Sequence, residues 1–258
     1  MAEAPVTAER FDAVELLRLN RPQERNSLSP ELMAALADEL ARADAEPETR
    51  CIVIAGTDEV FASGPDVRHL GGRSRVDGIP RPDGAELWRR IADCDTPLIA
   101  AVSGYALGTG FELALACDMV VASETAQFGQ PEITLGLIPG GGATQRLTRA
   151  LGRQRALELI LTGRRIRAET AERWGLVNRV AKRRTWLTES LELAGVVSLG
   201  SPLAASLAKR AVRAAEEESL SAGLAEEQRL YERALASEDR VEGVAAFLEK
   251  RRPRFTGR

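Results

Sequence analysis

Hydrophobic positions along the chain follow two patterns, short unbroken apolar runs and apolar residues at a spacing of about four, and their order predicts the fold. Ala13 to Leu19 (AVELLRL) reads as a strand, and the polar stretch RPQERNSLSP after it as a turn. Leu32, Leu36 and Leu40 then recur every four residues, the buried face of a helix from Pro30 to Ala43. Ser29 is suited to cap that helix, with Pro30 at its first position and Glu31 in its first turn. Cys51 to Ala55 (CIVIA) is apolar throughout, as expected of a strand covered on both faces. Strand, helix and strand in that order fit a crossover connection between parallel strands.

FASGPDVRHL, from Phe61, reads as a tight loop leading into a helix, and 71–84 as a polar Gly/Pro/Arg surface loop. Glu86 to Asp93 is a helix that must end before Pro97. A strand from Pro97 to Val102, a glycine-rich turn, a short helix from about Thr109 and a strand from Asp118 to Ala122 follow. Beyond a glycine loop, helices are expected over Thr144 to Leu151, with Gly152 at its end, and over Arg155 to Leu161. AETAERWGLVNRV reads as a helix stopped by Gly175, then a short strand. From Leu187 strand patterns cease and helices continue to about Lys250. The expected organisation is an α/β core over residues 1–190 and a helical region over 191–258.

Within the central stretch, Ala100 to Gly142, two carboxylates interrupt a mostly apolar run: Glu112 and Glu132. An acid in such a run is costly unless used or paired. The short helix begins where glycines let a ligand approach the backbone, so its free N–H groups form an oxyanion site. This pattern points to backbone donors that polarise a carbonyl, with two glutamates handling a proton and a water. Gly140-Gly141-Gly142 lacks the Lys-Ser/Thr of a P-loop and reads as close packing beside that site. Arg164, Arg165 and Arg167 read as a solvated patch.

Composition narrows the chemistry. The 258 residues are 44% hydrophobic, enough for a sizeable core. The net charge of −3 implies no bulk attraction to nucleic acid or an anionic membrane. The single histidine, His69, excludes a multi-histidine metal site and a Ser-His-Asp triad is a poor fit; His69 reads as an ordinary helix residue. Cys51, Cys94 and Cys117 are dispersed in apolar contexts, as reduced core thiols are. The start, MAEAPVTAERFD, resembles neither a signal nor a transit peptide, and a cytoplasmic location is expected.

The ordered set LNRPQERNSLS, FASGPDVRHL, AVSGYALGTGFELALACD, AQFGQPEITLGLIPGGGATQRL, LTGRRIRAETAERWGLVNRV and EKRRPRFTGR resembles the crotonase (enoyl-CoA hydratase/isomerase) superfamily over most of the chain. The resemblance implies a spiral of ββα units with a C-terminal helical trimerisation region, and a trimer or dimer of trimers. It implies an acyl-CoA thioester as substrate, with coenzyme A part of that substrate and no metal or separate cofactor. Glu112 and Glu132 match the two glutamates of hydratases, which hold the water, with Glu132 as proton donor. Thr109 matches one oxyanion donor, and Pro65 the position of the other. Proline has no N–H, so weak hydration of simple 2-enoyl thioesters is expected unless water or the Asp66 N–H fills the gap. By the same resemblance Glu24, Arg25, Ser27, Ala62, Gly64, Asp66, Val67, Tyr105, Gly108, Pro139, Gly140 and Phe255 fall on segments that contact CoA or acyl substrate. Arg254 and Phe255 match a tail that reaches a neighbouring subunit's CoA. The alternatives left open are an enoyl-CoA isomerase, a specialised acyl-CoA hydrolase, and a CoA-ester-binding protein with little catalysis.

Overall fold

The computed structural model describes residues 4–64 and 85–258. Pro65, Asp66, Val67, His69 and the loop at 71–84 lie outside the described residues.

The apolar runs form one six-stranded sheet. Its strands are β1 (Val6–Phe11), β2 (Val14–Leu19), β3 (Cys51–Ala55), β5 (Leu98–Val102), β7 (Met119–Ser123) and β10 (Arg179–Ala181), in the order β1-β2-β3-β5-β7-β10. β1 and β2 make an antiparallel hairpin, and the remaining neighbours are parallel. β3 and β5 are buried at every position, which explains their lack of alternation. A second sheet is built from three-residue strands, β4 (Val60–Ala62), β6 (Tyr105–Leu107), β8 (Gln127–Gly129) and β9 (Arg165–Arg167), in that order. Arg165 and Arg167 are therefore strand residues flanking buried Ile166, and the Arg165 guanidinium lies 5.1 Å over the Tyr105 ring.

The helices follow the apolar periodicity. α1 (Pro30–Ala45) is capped by the Ser29 hydroxyl, which accepts from the Leu32 N–H, and buries Leu32, Leu36 and Leu40. α2 (Ala85–Asp93), α3 (Thr109–Ala116), α4 (Ala143–Leu151) and α5 (Arg153–Thr162) cover the same face of the large sheet or its extension, around one core. α6 (Ala168–Arg173) precedes β10. The opposite face packs on α7 (Trp186–Ser198) through Val14, Leu16, Val53, Ile99, Val121, Trp186 and Ala194. The expected boundary at 190/191 thus falls inside α7, a helix that belongs to the sheet.

The helices that leave the sheet are α8 (Pro202–Glu217), α9 (Leu220–Leu235) and α10 (Glu238–Leu248). α8 is tied to the core by an ion pair. Lys209 Nζ, nearly buried, meets Asp118 Oδ2 at 2.7 Å and also donates to the Thr96 carbonyl. Of the apolar residues in this region, Leu207 and Leu230 are buried within the chain. Val212, Leu220, Leu224, Phe247 and Leu248 are each more than half exposed. Among the described residues no single helix is long and apolar enough to cross a membrane.

Candidate active site

Three connections bring distant segments to the start of α3. Gly108, at φ 52° and ψ −129°, turns the chain into the helix, a conformation that only glycine adopts readily. Gly110 lies so close to β4 that a Cβ there would stand 2.2 Å from the Ala62 carbonyl oxygen. Gly64, at φ +101°, rests against the Leu107 carbonyl. The turn at residues 21–28 is stitched to the same corner: Ser63 N–H donates to Arg25 O, Leu28 N–H to Gly64 O, and Ser27 Oγ to Gly64 O. Asn26, buried at φ 49°, fixes that turn by accepting from Arg21 N–H and donating to the Phe61 carbonyl. Arg25, Ser27, Ala62, Gly64, Gly108 and Thr109 are thereby placed together, with Glu24 in the same turn. Among the described residues nothing hydrogen-bonds the Thr109 N–H, which stands in the first turn of α3, at the positive end of the helix.

Glu112 sits one turn into α3, 1% exposed. Its Oε1 accepts from the Gly141 N–H at 2.7 Å and from the Ala143 N–H at 3.0 Å. Its Oε2 is buried and has no hydrogen-bond partner among the described residues. The glycine loop is thus the cradle of this carboxylate. A Cβ on Gly141 would lie 2.8 Å from Oε2 and 2.5 Å from the Trp88 ring, so no side chain fits there. Burial raises the pKa of Glu112, while the amides of Ala143 and Gly141 and the charge of Arg146 oppose the rise.

Glu132 occupies a different setting, a 3-10 turn over Pro131–Leu135 that ends at Gly136 in the left-handed region. It is buried, and burial pushes its pKa up to about 7. Its own backbone amide opposes that rise, and the charge of Glu112 adds to it, which couples the two acids electrostatically across 20 residues of sequence. With its amide nitrogen turned to the carboxylate, Gln130 donates to both Glu132 oxygens at 3.0 Å each; the reverse orientation would set its oxygen against two acceptors. Gln130 is fully buried and was not legible as a site residue, because a glutamine before proline reads as a turn.

Pro139 is buried and Gly140 exposed, directly before the Gly141 amide. Two other expected residues have these surroundings within one chain. The Tyr105 ring, 40% exposed, packs under Arg165 on the small sheet. Phe255 rests against Gly243 of α10, and its carbonyl accepts from Arg50, so within one chain it belongs to the helical appendage.

Two buried acids, each with its pKa raised by burial, and the first turn of α3 are groups of the types that can handle a proton, a water and a polarised carbonyl. The sequence profile described as enoyl-CoA hydratase/isomerase matches residues 9–258. The chain is 45% identical to a probable enoyl-CoA hydratase of Mycobacterium tuberculosis over 258 residues, all of both chains. It is also 45% identical to the 2,3-dehydroadipyl-CoA hydratase of Escherichia coli, covering 96% of this chain and 97% of that one. A crystal structure of an enoyl-CoA hydratase from Geobacillus kaustophilus superposes with a TM-score of 0.91 at 42% identity, over 98% of each chain. One from Bacillus anthracis gives 0.92 at 36% identity, over 98% of this chain and all of that one. With its sheets, its glycine cradle and its paired acids in place, the chain belongs to the enoyl-CoA hydratase/isomerase family.

Proposed function

We propose that the protein is a hydro-lyase that adds water across the 2,3 double bond of a 2-enoyl-CoA thioester. The observation that carries this reading is the pair of buried, electrostatically coupled carboxylates. In this reading both acids hold the water. Glu112, through its unpartnered Oε2, takes a proton from the water as its oxygen bonds to C3. Electron density moves to the thioester oxygen, which the Thr109 N–H and the positive end of α3 stabilise. Glu132, with a pKa of about 7, is available in its protonated form and delivers its proton to C2. The proton left on Glu112 and the one lost by Glu132 balance through solvent once product departs. Pro65 has no N–H, so this reading assigns the oxyanion to Thr109 and the helix dipole unless Asp66 supplies a second donor.

The Arg25–Ser27 turn and the Ala62–Gly64 segment, joined by hydrogen bonds at the mouth of α3, are assigned to the CoA portion. The reading includes a cytoplasmic location and a homo-oligomer, a trimer or dimer of trimers, in which the exposed Val212, Leu220, Leu224, Phe247 and Leu248 of the C-terminal helices would be covered. Hydration of crotonyl-CoA, followed by loss of the absorbance of the conjugated thioester, tests the reading. Turnover abolished by substitution of either glutamate is the expected result. Tight binding of the thioester without turnover would instead assign the chain a CoA-ester-binding role.

A further inference from the structure

The charge of Arg146 acts on Glu112, and it does so from behind the cradle. It lies on α4, one turn beyond the glycine loop, and its Nη1 donates to the Gly141 carbonyl at 2.9 Å. The same guanidinium covers Gly142, where a Cβ would stand 2.2 Å from Nη1; Gly142 itself is at φ +110°. The peptide between Gly140 and Ala143 is therefore held from both sides. Its N–H groups at Gly141 and Ala143 point to Glu112 Oε1, and its Gly141 carbonyl points back to Arg146.

We propose that Arg146 is a positioning residue for Glu112, clamping the glycine loop so that two amides fix Oε1 and Oε2 alone is left to face the reacting water. This rests on the reading of Glu112 as the group that takes the proton from water. A cation behind the cradle also favours the carboxylate form, the form a base needs. Among the described residues, the titratable and charged groups around this pair are Glu132 from the 3-10 turn, whose pKa the charge of Glu112 raises, and, on the Arg146 side, Cys117 at the end of α3 with Asp118, Lys209, Arg213, Glu216 and Glu217. The Cys117 thiol is pushed up to about 12 by burial, and at Glu112 burial is opposed by the Ala143 and Gly141 amides and then by the charge of Arg146.

Arg146 and Cys117 also line a cavity of about 710 Å³ between α3 and α8, on the far side of the cradle, together with Lys209 and Arg213. The Arg146 position is thus open to a small cation through this cavity.

The experiment compares Arg146→Lys, Arg146→Gln and Arg146→Ala with the wild type in crotonyl-CoA hydration across pH. Expected for Arg146→Gln is a kcat roughly 10-fold to 10²-fold lower, the loss that accompanies a small misplacement of a reacting group, with KM little changed. The acid limb of the profile should move up by about one pH unit, the scale of losing a nearby opposite charge. Arg146→Lys should keep the limb near its wild-type position while losing part of kcat, because a point charge cannot reproduce the clamp. Millimolar guanidinium should restore part of the Arg146→Ala rate, and potassium chloride at the same concentration should not. An unmoved acid limb and unchanged kcat in folded Arg146→Gln would overturn the proposal. If Arg146→Gln and Arg146→Ala fail to fold, a wild-type kcat in Arg146→Lys overturns it. An inactive wild type, by contrast, would overturn the hydratase reading and not this one alone.

Discussion

Glu112 and Glu132 are the same residue type, both buried, yet the chain holds them in opposite ways. Glu112 lies on a regular helix, and one of its oxygens is saturated by two backbone amides from a loop 29 and 31 residues away, with a guanidinium behind. Glu132 lies on a 3-10 turn, and its partner is a single side-chain amide two residues back. Backbone amides and a cation favour the ionised form, whereas burial with few donors favours the protonated form. In the hydratase reading proposed above, the glycine loop and the turn divide two chemically identical groups, both with pKa values raised by burial, into a base and an acid. The lesson is that the donors around each carboxylate carry the division of labour, and each can be removed separately.

The largest effect should come from the acids themselves. Glu112→Gln and Glu132→Gln each keep shape and remove a titrating group. Each is expected to lower kcat for crotonyl-CoA hydration by ~10²-fold or more, the contribution of a positioned acid or base. The double variant should be far less than multiplicatively worse, since groups acting as one unit lose their effect together. Multiplicative losses in steady-state kinetics would mean that the two acids act independently.

The pH dependence sharpens the comparison next. Glu132, with its pKa raised to about 7, must be protonated to donate, so kcat should fall as pH rises through about 7. Glu132→Gln should remove that basic limb, and Glu112→Gln should remove the acid limb. Stability carries the same sign. A carboxyl whose folded pKa lies above its unfolded value stabilises most below the unfolded pKa, and that contribution is lost as pH rises through about 7. Denaturant unfolding should therefore show wild type losing stability relative to Glu132→Gln between about pH 4.5 and pH 7. A wild-type profile flat through that range would contradict the raised value.

The cradle provides the third test. Gly141→Ala places a methyl group against Trp88 and Glu112 Oε2, whereas a Cβ on neighbouring Gly140 meets nothing within 4 Å. Overpacking of this kind costs ~1–3 kcal/mol. At ~2–4 °C per kcal/mol for a chain near this size, Gly141→Ala should lower Tm by several degrees in a thermal melt. Gly140→Ala should change Tm little. Equal melting temperatures for the two would show that the loop relaxes freely and does not hold Glu112.

These tests also mark how far the sequence could be read. Most strands of the large sheet were legible, β3 and β5 as five-residue apolar runs, and α1 because its leucines recur at helical spacing; β1 was not read, since every position after Val6 is exposed and VTAERF shows no apolar run. The small sheet was not, because β4, β6, β8 and β9 have three residues each, too few to display a period. Arg165, read as part of a solvated patch, is exposed as expected, and its guanidinium also lies over the Tyr105 ring of the small sheet. The two acids stood out as charges in apolar runs. Their supports did not: Gln130, two residues before Glu132, reads as a turn residue before Pro131, and Arg146 and Trp88 carry no spacing that links them to Glu112 and meet its cradle at Gly141. The glycine loop was read as packing beside the site, and its amides prove to be the ligands of Glu112.

The smallest expected effect, and the finest discrimination, belongs to Gln130. Its side-chain amide, fully buried, faces both oxygens of Glu132 at 3.0 Å. A nitrogen in that place donates to the carboxylate and favours the ionised form; a carbonyl oxygen would accept from the protonated acid and favour that form instead. Gln130→Leu removes either interaction with a side chain of similar length. With the nitrogen toward Glu132, the substitution should shift the basic limb above its wild-type position near pH 7, and kcat at pH 7 should change by ~10-fold or less, the scale of one hydrogen bond to a charged group. A shift of the limb to lower pH would place the amide oxygen toward the acid. The Glu132 proton would then be retained by Gln130 as well as by burial, and the contrast with Glu112 would be deeper than desolvation alone makes it.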